Sequence, residues 1–457
     1  MKKNSNAKIQ FLGAAGTVTG SKYLVEFKEK KILIDCGLFQ GLKELRLLNW
    51  QTLPVDASTI DYVLLTHGHL DHVGYLPLLV KQGFKGEIYA SEPTIDIAKL
   101  ILRDSAKIQE EDAERANRFN YSKHKEAKPL YDTREAEAVF PLFIPKPLAQ
   151  WIDLGDQVSV RFRYNGHILG ACFIELRLSH RLYVFSGDIG RIHDPLLFET
   201  EYPEAVDVLV MESTYGNRLH PADSKQLLAK EINDAAGRNG TIIIPSFAVE
   251  RTQLLMYLLW QLRNEKKIPL IPVYMDSPMG AHVLDIFQHH LPWHKLSTEE
   301  AINMCRFVKV VQNEAETFEL IRSKASKIII ASSGMATGGR VLSYFEHYLG
   351  DKDATILLCG YQGEGTRGRA LLDGAKEIKM RGKFWPVKAF ISMIGGLSAH
   401  ADQSELIHWL SNIKNEPSRI FIVHGEKEAS RTLREKIKEV YGWNAGIPDL
   451  NQTIELP

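Results

Sequence analysis

The segment that most constrains this chain is Thr66-His67-Gly68-His69-Leu70-Asp71-His72, where three histidines and an aspartate crowd one short run. The apolar residues 62–65 before it predict a buried strand, and residues 73–79 after it predict a helix. Alternate side chains of extended backbone share a side, so His67 and His69 can face one ion while Asp71 and His72 face a second. Imidazole and carboxylate together suit Zn²⁺. The sequence therefore predicts a metal site at a strand end, and a mere surface cluster of histidines is the alternative.

Length and composition limit the classes of protein that can carry this segment. The 457 residues suffice for two domains with sizeable cores, and the formal net charge is zero, so contact with a polyanion must come from a local surface. No apolar run reaches transmembrane length, which predicts no membrane partner. The four cysteines are widely spaced, which favours reduced thiols in a cytoplasmic protein over a disulfide framework.

Three further candidate residues follow predicted strands in the first half of the chain. Asp35 follows the apolar residues 31–34 and could orient a ligand histidine, although an ordinary turn aspartate is the alternative. His167 and Asp188 each follow a strand-like segment, and each alone would indicate only a loop residue. Together with the histidine segment they extend the ligand set, and one carboxylate at Asp188 can bridge two metals.

The pattern changes near residue 206, where short apolar strands begin to alternate with helical stretches. This alternation favours a mostly parallel sheet and a separate α/β domain. The strand-rich pattern of the first part returns after residues 385–387. His400 then follows a turn of small residues and His424 ends a strand, although each histidine alone would more often be structural.

Taken together, these residues resemble the metallo-β-lactamase superfamily and, within it, the β-CASP nucleases. Asp35, the segment 67–72, His167 and Asp188 match motifs found across the superfamily. The motifs that mark β-CASP members are matched by Glu212 (in Glu212-Ser213-Thr214-Tyr215-Gly216), His400 and His424. The resemblance implies an α/β fold, namely a metallo-β-lactamase αββα sandwich built from residues 1–208 and 389–457. A parallel-sheet α/β β-CASP domain would be inserted at 209–388.

The resemblance also implies a cofactor and a set of roles. Two Zn²⁺ are expected, with Mn²⁺ as the alternative metal. Metal binding lowers the pKa of water from 15.7 to ~7 and so provides a nucleophile at neutral pH. His400 would protonate the departing ribose oxygen, Glu212 would hold its ring, and Asp71 would be both ligand and catalytic residue. The first zinc would be held by His67, His69, His167 and Asp188, and the second by Asp71, His72, Asp188 and His424.

Phosphate contacts are predicted in the inserted domain. Ser333 and Gly334 belong to a small-residue loop that follows a predicted strand and opens a helix, where backbone N–H groups can bind phosphate. The family resemblance implies the same use of this loop, and a glycine-rich turn with only a structural purpose is the alternative. Arg251, which opens another helix, is a further phosphate candidate.

The implied function is zinc-dependent hydrolysis of single-stranded RNA, by endonucleolytic or 5′–3′ exonucleolytic cleavage, in RNA processing or decay. The rivals are a β-CASP nuclease acting on DNA, a metallo-hydrolase of another ester, and a non-catalytic RNA-binding paralogue. DNA-directed relatives usually carry a different residue at the position of His424, and non-catalytic paralogues lose metal ligands that this chain retains. A homodimer is compatible with the sequence, which leaves the oligomeric state and the cleavage mode open.

Overall fold

The computed structural model describes residues 7–119 and 126–456, and the chain divides into two compact units. The first unit runs to Leu219 and resumes at His400, while the second comprises His220–Ala399. Both ends of the second unit lie later in the chain than the predicted limits of the insertion, 209 and 388, which stay predictions for the domain boundaries.

The first unit begins with eleven strands and five helices among the described residues. The strands are β1 (Ala7–Phe11), β2 (Tyr23–Phe27), β3 (Lys30–Ile34), β4 (Tyr62–Leu64), β5 (Glu87–Ala90), β6 (Phe143–Pro145), β7 (Ile152–Gly155), β8 (Val158–Tyr164), β9 (Cys172–Leu178), β10 (Arg181–Phe185) and β11 (Val208–Glu212). The helices are α1 (Lys43–Leu48), α2 (Leu70–Val73), α3 (Leu76–Lys81), α4 (Glu92–Arg118) and α5 (Thr133–Glu137).

The second unit alternates strands and helices, and the first unit then resumes. The strands of the second unit are β12 (Ile242–Pro245), β13 (Val273–Asp276), β14 (Lys309–Val310), β15 (Ile328–Ala331), β16 (Thr355–Cys359), β17 (Glu377–Met380), β18 (Lys383–Pro386) and β19 (Phe390–Ile394). Its helices are α6 (Ser224–Gly237), α7 (Arg251–Asn264), α8 (Pro278–His289), α9 (Thr298–Phe307), α10 (Glu314–Arg322), α11 (Val341–Tyr348) and α12 (Arg367–Leu372). The remaining elements of the first unit are α13 (Gln403–Trp409), β20 (Arg419–Val423), α14 (Lys427–Tyr441) and β21 (Thr453–Leu456).

Two sheets build the first unit. One has seven strands in the order β21-β1-β2-β3-β4-β5-β6, antiparallel from β21 to β3 and parallel from β3 to β6. The other has six strands in the order β20-β11-β10-β9-β8-β7, with β20, β11 and β10 parallel. In this second sheet Glu212 pairs with Val423, so the chain leaves β11 and β20 at the same edge. This register brings Glu212 close to His424.

Aromatic side chains fill the space between the two sheets. The rings of Phe11 and Phe421 lie 5.1 Å apart, and those of Tyr23 and Phe185 lie 6.3 Å apart. On the other face of the second sheet, Trp409 of α13 packs edge-on to Phe173 at 5.6 Å. Helix α14 joins the same core cluster, which buries apolar side chains and stabilises the layers. This mixed α/β architecture confirms the predicted sandwich class.

The second unit has a six-stranded sheet in the order β14-β13-β15-β12-β16-β19, and every pairing in it is parallel. Helix α11 packs its buried Tyr344 and Phe345 in one cluster with Ile243, Ile329 and Ile356 of the central strands. Isoleucine-rich strands of this kind are typical of a sheet covered on both faces. The alternation seen in the sequence therefore does specify a parallel α/β unit.

None of the described helices combines the length and the hydropathy that crossing a bilayer would require.

Candidate metal centre and active site

The histidine segment follows β4, in the parallel part of the first sheet. Gly68 allows this segment to lie against α4, because a Cβ at this position would stand 2.6 Å from Cγ2 of Ile97. The side chains of His67 and His69 converge, with 3.1 Å between His67 Nε2 and His69 Nδ1. The extended backbone before α2 thus brings two ring nitrogens to one point, as the alternation of side chains predicts.

His167 and Asp188 complete a first set of ligand atoms with these two histidines. His167 follows β8 and Asp188 follows β10, so both approach from the second sheet. His167 Nε2 lies 3.3 Å from His69 Nδ1. The Oδ2 atom of Asp188 lies 3.4 Å from His67 Nε2 and 3.6 Å from His167 Nε2.

A second set is formed by Asp71, His72 and His424. His424 Nε2 lies 3.2 Å from His72 Nε2 and 3.5 Å from Asp71 Oδ2. The other carboxylate oxygen of Asp188, Oδ1, lies 3.3 Å from His72 Nε2. Asp188 therefore turns one oxygen toward each set, which is the arrangement that a bridging carboxylate needs.

These spacings fit a metal ion. Four ligands ~2.0–2.1 Å from a tetrahedral zinc lie about 3.3–3.4 Å from one another, and the ligand-atom distances in both sets scatter around that value. Burial, reinforced by neighbouring histidines, lowers the pKa of His67 and His167 well below the usual range of histidine. Burial also lowers the pKa of His69 to about 4. These rings are therefore neutral at pH 7, and neutral imidazole is the form that binds metal.

Asp35 supports the second set from behind. Its Oδ2 lies 2.8 Å from His72 Nδ1, and it also accepts hydrogen bonds from the backbone and hydroxyl of Thr66. Burial opposes a charge on His72, but Asp188 and Asp35 outweigh it and raise the pKa of His72 well above its usual value. Metal binding at Nε2 would therefore displace a proton from this ring. The carboxylate–histidine pair fixes the ring orientation that a ligand requires.

His400 stands beside both sets and is paired with Glu212. His400 Nδ1 lies 3.1 Å from Glu212 Oε1, and its Nε2 lies 3.9 Å from Asp188 Oδ2. Glu212 is buried and also accepts a hydrogen bond from the backbone N–H of Ile189. Burial opposes protonation of His400, but Glu212, with smaller contributions from Asp188 and Asp71, leaves its pKa raised.

The predicted phosphate-binding residues lie in the second unit, at the carboxyl ends of its parallel strands. Ser333 Oγ accepts hydrogen bonds from the backbone N–H groups of Thr337 and Gly338 and so closes the loop after β15. Gly334 packs against Phe247, where a Cβ would stand 2.6 Å from the ring. Arg251 is buried, and its Nη1 donates to the carbonyl oxygen of Cys359.

Two hydroxyl residues at the site were not singled out from the sequence. Thr66 Oγ1 lies 3.1 Å from His67 Nδ1, and Thr214 Oγ1 lies 3.0 Å from His424 Nδ1. Both belong to motifs already noted: Thr66 directly precedes His67, and Thr214 follows Glu212 by two positions. Their position next to those motifs is the only sequence signal that could have identified them.

Three known protein families match successive parts of the chain. Residues 15–215 match the metallo-beta-lactamase superfamily, and residues 252–371 match the Beta-Casp domain. Residues 385–448 match the family described as "Zn-dependent metallo-hydrolase RNA specificity domain". These three matches cover both units of the chain.

Comparison with individual proteins agrees with these family matches. The chain is 32% identical to ribonuclease TTHA0252 of Thermus thermophilus over 425 residues, which is 91% of this chain and 92% of that protein. It is 29% identical to transcription termination factor FttA of Methanosarcina mazei, covering 95% of this chain and 69% of that protein. A crystal structure of a protein of unknown function from Enterococcus faecalis aligns with a TM-score of 0.55 at 15% identity, over 99% of this chain and 100% of that chain. That structural likeness concerns the fold alone.

The fold, the ligand sets and these matches define a metal-dependent hydrolase. The chain belongs to the β-CASP family of the metallo-β-lactamase superfamily.

Proposed function

We propose that this protein is a zinc-dependent ribonuclease that hydrolyses phosphodiester bonds of single-stranded RNA. The match of residues 385–448 to a domain named for RNA specificity supports this, as do relatives named ribonuclease and transcription termination factor. In this proposal one Zn²⁺ is held by His67, His69, His167 and Asp188, and the second by Asp71, His72, Asp188 and His424.

The single observation that carries the proposal is the pairing of His400 with Glu212 beside Asp188. Asp188, Glu212 and His400 form a third group of possible ligand atoms, which shares Asp188 with the first set. Because the two proposed zinc ions are held by the other seven residues, we assign His400 a different task. One of its nitrogens is held by Glu212, while the other faces the carboxylate shared by both sets. A phosphodiester has an alkoxide leaving group that must be protonated, which gives this pair a task. A metallo-hydrolase of another ester would leave the complete set of Glu212, His400 and His424 and the inserted α/β unit unexplained.

When bound, a metal pair makes water acidic enough to supply a nucleophile at neutral pH and offsets the charge that develops on the phosphate. The chain's own residues prepare the site for this. The buried neutral imidazoles of the first set present lone pairs, and Asp188 turns one oxygen toward each set. Asp71, whose side chain is 20% exposed, is both a ligand and a catalytic residue in this proposal.

His400 acts on the leaving group in this mechanism. Glu212 retains the proton on Nδ1, so the imidazolium can release the proton on Nε2 to the departing ribose oxygen and become neutral. Positioned acid catalysis of this kind contributes typically ~10²–10⁴-fold.

The RNA backbone is proposed to bind at the loop of Ser333 and Gly334. This loop joins β15 to α11, a place where backbone N–H groups can bind phosphate, and its residues Thr337 and Gly339 are exposed. Arg251 is buried and bonded to the Cys359 carbonyl. This bond supports the strand end, and a phosphate contact by Arg251 stays a prediction.

The test uses a single-stranded RNA labelled at its 5′ end, with either a 5′-phosphate or a 5′-hydroxyl, incubated with the zinc-loaded protein. Internal fragments would indicate endonuclease action, and release of mononucleotides from the 5′ end would indicate exonuclease action. DNA of the same sequence and the chelator-treated protein are the matched controls. Failure to cleave RNA, or faster cleavage of the DNA, would overturn the proposal.

Two further predictions from the sequence stay predictions. A homodimer would show a solution mass of twice the 51.7 kDa of the chain by light scattering. A cytoplasmic location would be tested by fractionation of the source cells.

A further inference from the structure

We propose that Thr214 is a positioning residue that fixes the ring of His424, so that Nε2 of this histidine faces Asp71 and His72. The inference rests on the proposed function in one respect, namely that His424 is a metal ligand. It adds a role for a side chain that lies between the second ligand set and the pair of His400 and Glu212.

Thr214 is buried next to His424 and contacts it twice. Its Oγ1 lies 3.0 Å from His424 Nδ1 and 3.1 Å from the backbone carbonyl oxygen of the same residue. Only 3% of Thr214 is exposed, so water does not compete freely for this hydroxyl. Two contacts from one oxygen to one residue define the ring angle as well as its position.

The hydrogen-bond partners of His424 Nδ1 indicate the tautomer of this ring. A hydroxyl group has a single proton, and the carbonyl of His424 can only accept it. The Thr214 oxygen then accepts a hydrogen bond from His424 Nδ1–H. The negative charge of Asp188, whose Oδ1 lies 3.5 Å from the same Nδ1, favours a proton at the same place. This arrangement assigns the proton of the neutral His424 ring to Nδ1 and leaves on Nε2 the lone pair that a metal requires.

His72 reaches the same arrangement with a different partner. Its Nδ1 is held by the carboxylate of Asp35 at 2.8 Å, whereas that of His424 is held by a hydroxyl. Partners of this kind orient metal-binding histidines, and their loss typically costs ~10–100-fold in metal affinity or activity. The two histidines of the second set thus have separate supports, and Thr214 is the support of His424.

The backbone of Thr214 contacts the pair of Glu212 and His400. Its N–H lies 3.1 Å from Glu212 Oε2, while Oε1 of the same carboxylate faces His400. A change confined to the Thr214 side chain removes the contact with His424 and leaves the backbone contact with Glu212. The two effects can therefore be separated by mutation.

The experiment titrates metal-free protein with Zn²⁺ in competition with a chromophoric chelator. Thr214→Val keeps the shape of the side chain but removes the hydroxyl, and we expect one of the two binding steps to weaken by ~10–100-fold while the other is unchanged. Thr214→Ser retains the hydroxyl and should restore most of the loss. Ser213→Ala is the matched control, because its hydroxyl bonds Val423 and Ser430 but not the ring of His424.

Nitrogen NMR of the zinc-loaded wild-type protein, labelled in its histidine rings and assigned with His424→Gln, gives a readout that does not depend on the variants. We expect the signal of a proton on Nδ1, and a proton on Nε2 would overturn the inference. Wild-type affinity for both ions in Thr214→Val would overturn it too, as would equal weakening of both steps. The titration needs no RNA, so a wild-type protein that binds two zinc ions but cleaves no RNA would refute the proposed function alone.

Discussion

The strand ends of the two units carry polar residues of different kinds. In the first unit, histidines and carboxylates converge until their nitrogen and oxygen atoms lie 3.1–3.6 Å apart. In the second unit, Ser333 and Arg251 at the strand ends bond to backbone groups of their own unit. Burial lowers the pKa of His67, His69 and His167, so these neutral imidazoles direct lone pairs at a common point, whereas the second unit's side chains shape a loop. The first unit therefore places a metal-binding cluster at its strand ends, whereas these polar side chains of the second unit hold its own backbone.

The largest effect is expected at Asp188, the residue that both ligand sets share. Asp188→Ala removes the oxygen facing each set, so we expect loss of most bound zinc and of nearly all RNA hydrolysis. The loss should exceed the ~10–100-fold that removal of an outer partner costs. Elemental analysis and single-turnover cleavage measure it. Full metal content with full activity in this variant would show that Asp188 does not bridge the sets.

His400→Ala should give the next largest effect. The ring belongs to neither proposed zinc, so zinc content and RNA affinity should persist while kcat falls by ~10²–10⁴-fold with little change in KM. A phosphodiester whose leaving group is p-nitrophenolate needs no proton and should be nearly spared.

Glu212→Gln is the matched variant for His400, since it keeps the side-chain shape but removes the charge. It should reproduce the same pattern more weakly. Loss of metal from either variant, or equal slowing of both substrates, would make His400 a ligand or a structural residue. The first unit would then have no assigned catalytic acid.

The neutral imidazoles predict a pH dependence of stability in the metal-free protein. The pKa of His167 is lowered by burial, so below about pH 6.5 the unfolded chain binds a proton that the folded chain does not. The stability that this residue contributes is present above the unfolded pKa and is lost as the pH falls.

This dependence is measured as the difference in unfolding free energy between the wild type and His167→Gln at pH 7.5, 6 and 5. The wild type should lose up to about 1.4 kcal/mol per pH unit relative to the variant below pH 6.5. Since other histidines titrate in both proteins, only the difference is informative. A difference that does not change with pH would mean that His167 is not held neutral.

The smallest effect is expected in the second unit. Ser333→Ala removes hydrogen bonds that close the loop after β15, each worth ~0.5–1.5 kcal/mol, so RNA binding should weaken by roughly 2–10-fold while zinc content stays intact. Ser326→Ala is the control, because its hydroxyl donates to the Gly240 carbonyl and does not contact the loop after β15. Unchanged RNA affinity in Ser333→Ala would leave the loop a purely structural role.

Local sequence patterns determined the secondary structure around the histidine segment and the fold class of the second unit. The apolar run before His67 and the alternation of His67 and His69 are properties of neighbouring residues, and the strand and loop fold as predicted. The single helix predicted at 73–79 is instead two short helices, α2 and α3, which are separated at Gly74 and Tyr75. The alternation of strands and helices in the second unit likewise indicated its parallel sheet. The predicted fold class and the family of metal-dependent hydrolases are confirmed by the architecture and the family matches.

The tertiary structure alone decided how distant residues meet. Parallel pairing of β11 with β20 brings the chain after Glu212 to the chain before His424, and no pattern within either segment contains that register. The same pairing gives Thr214 its contact with His424. Burial of Arg251 against Cys359 was equally invisible, because a charged residue at a helix start suggests an exposed side chain until its neighbours are known. Sequence periodicity reports which face of an element is buried, whereas the partner across that face depends on contacts between segments far apart in the chain.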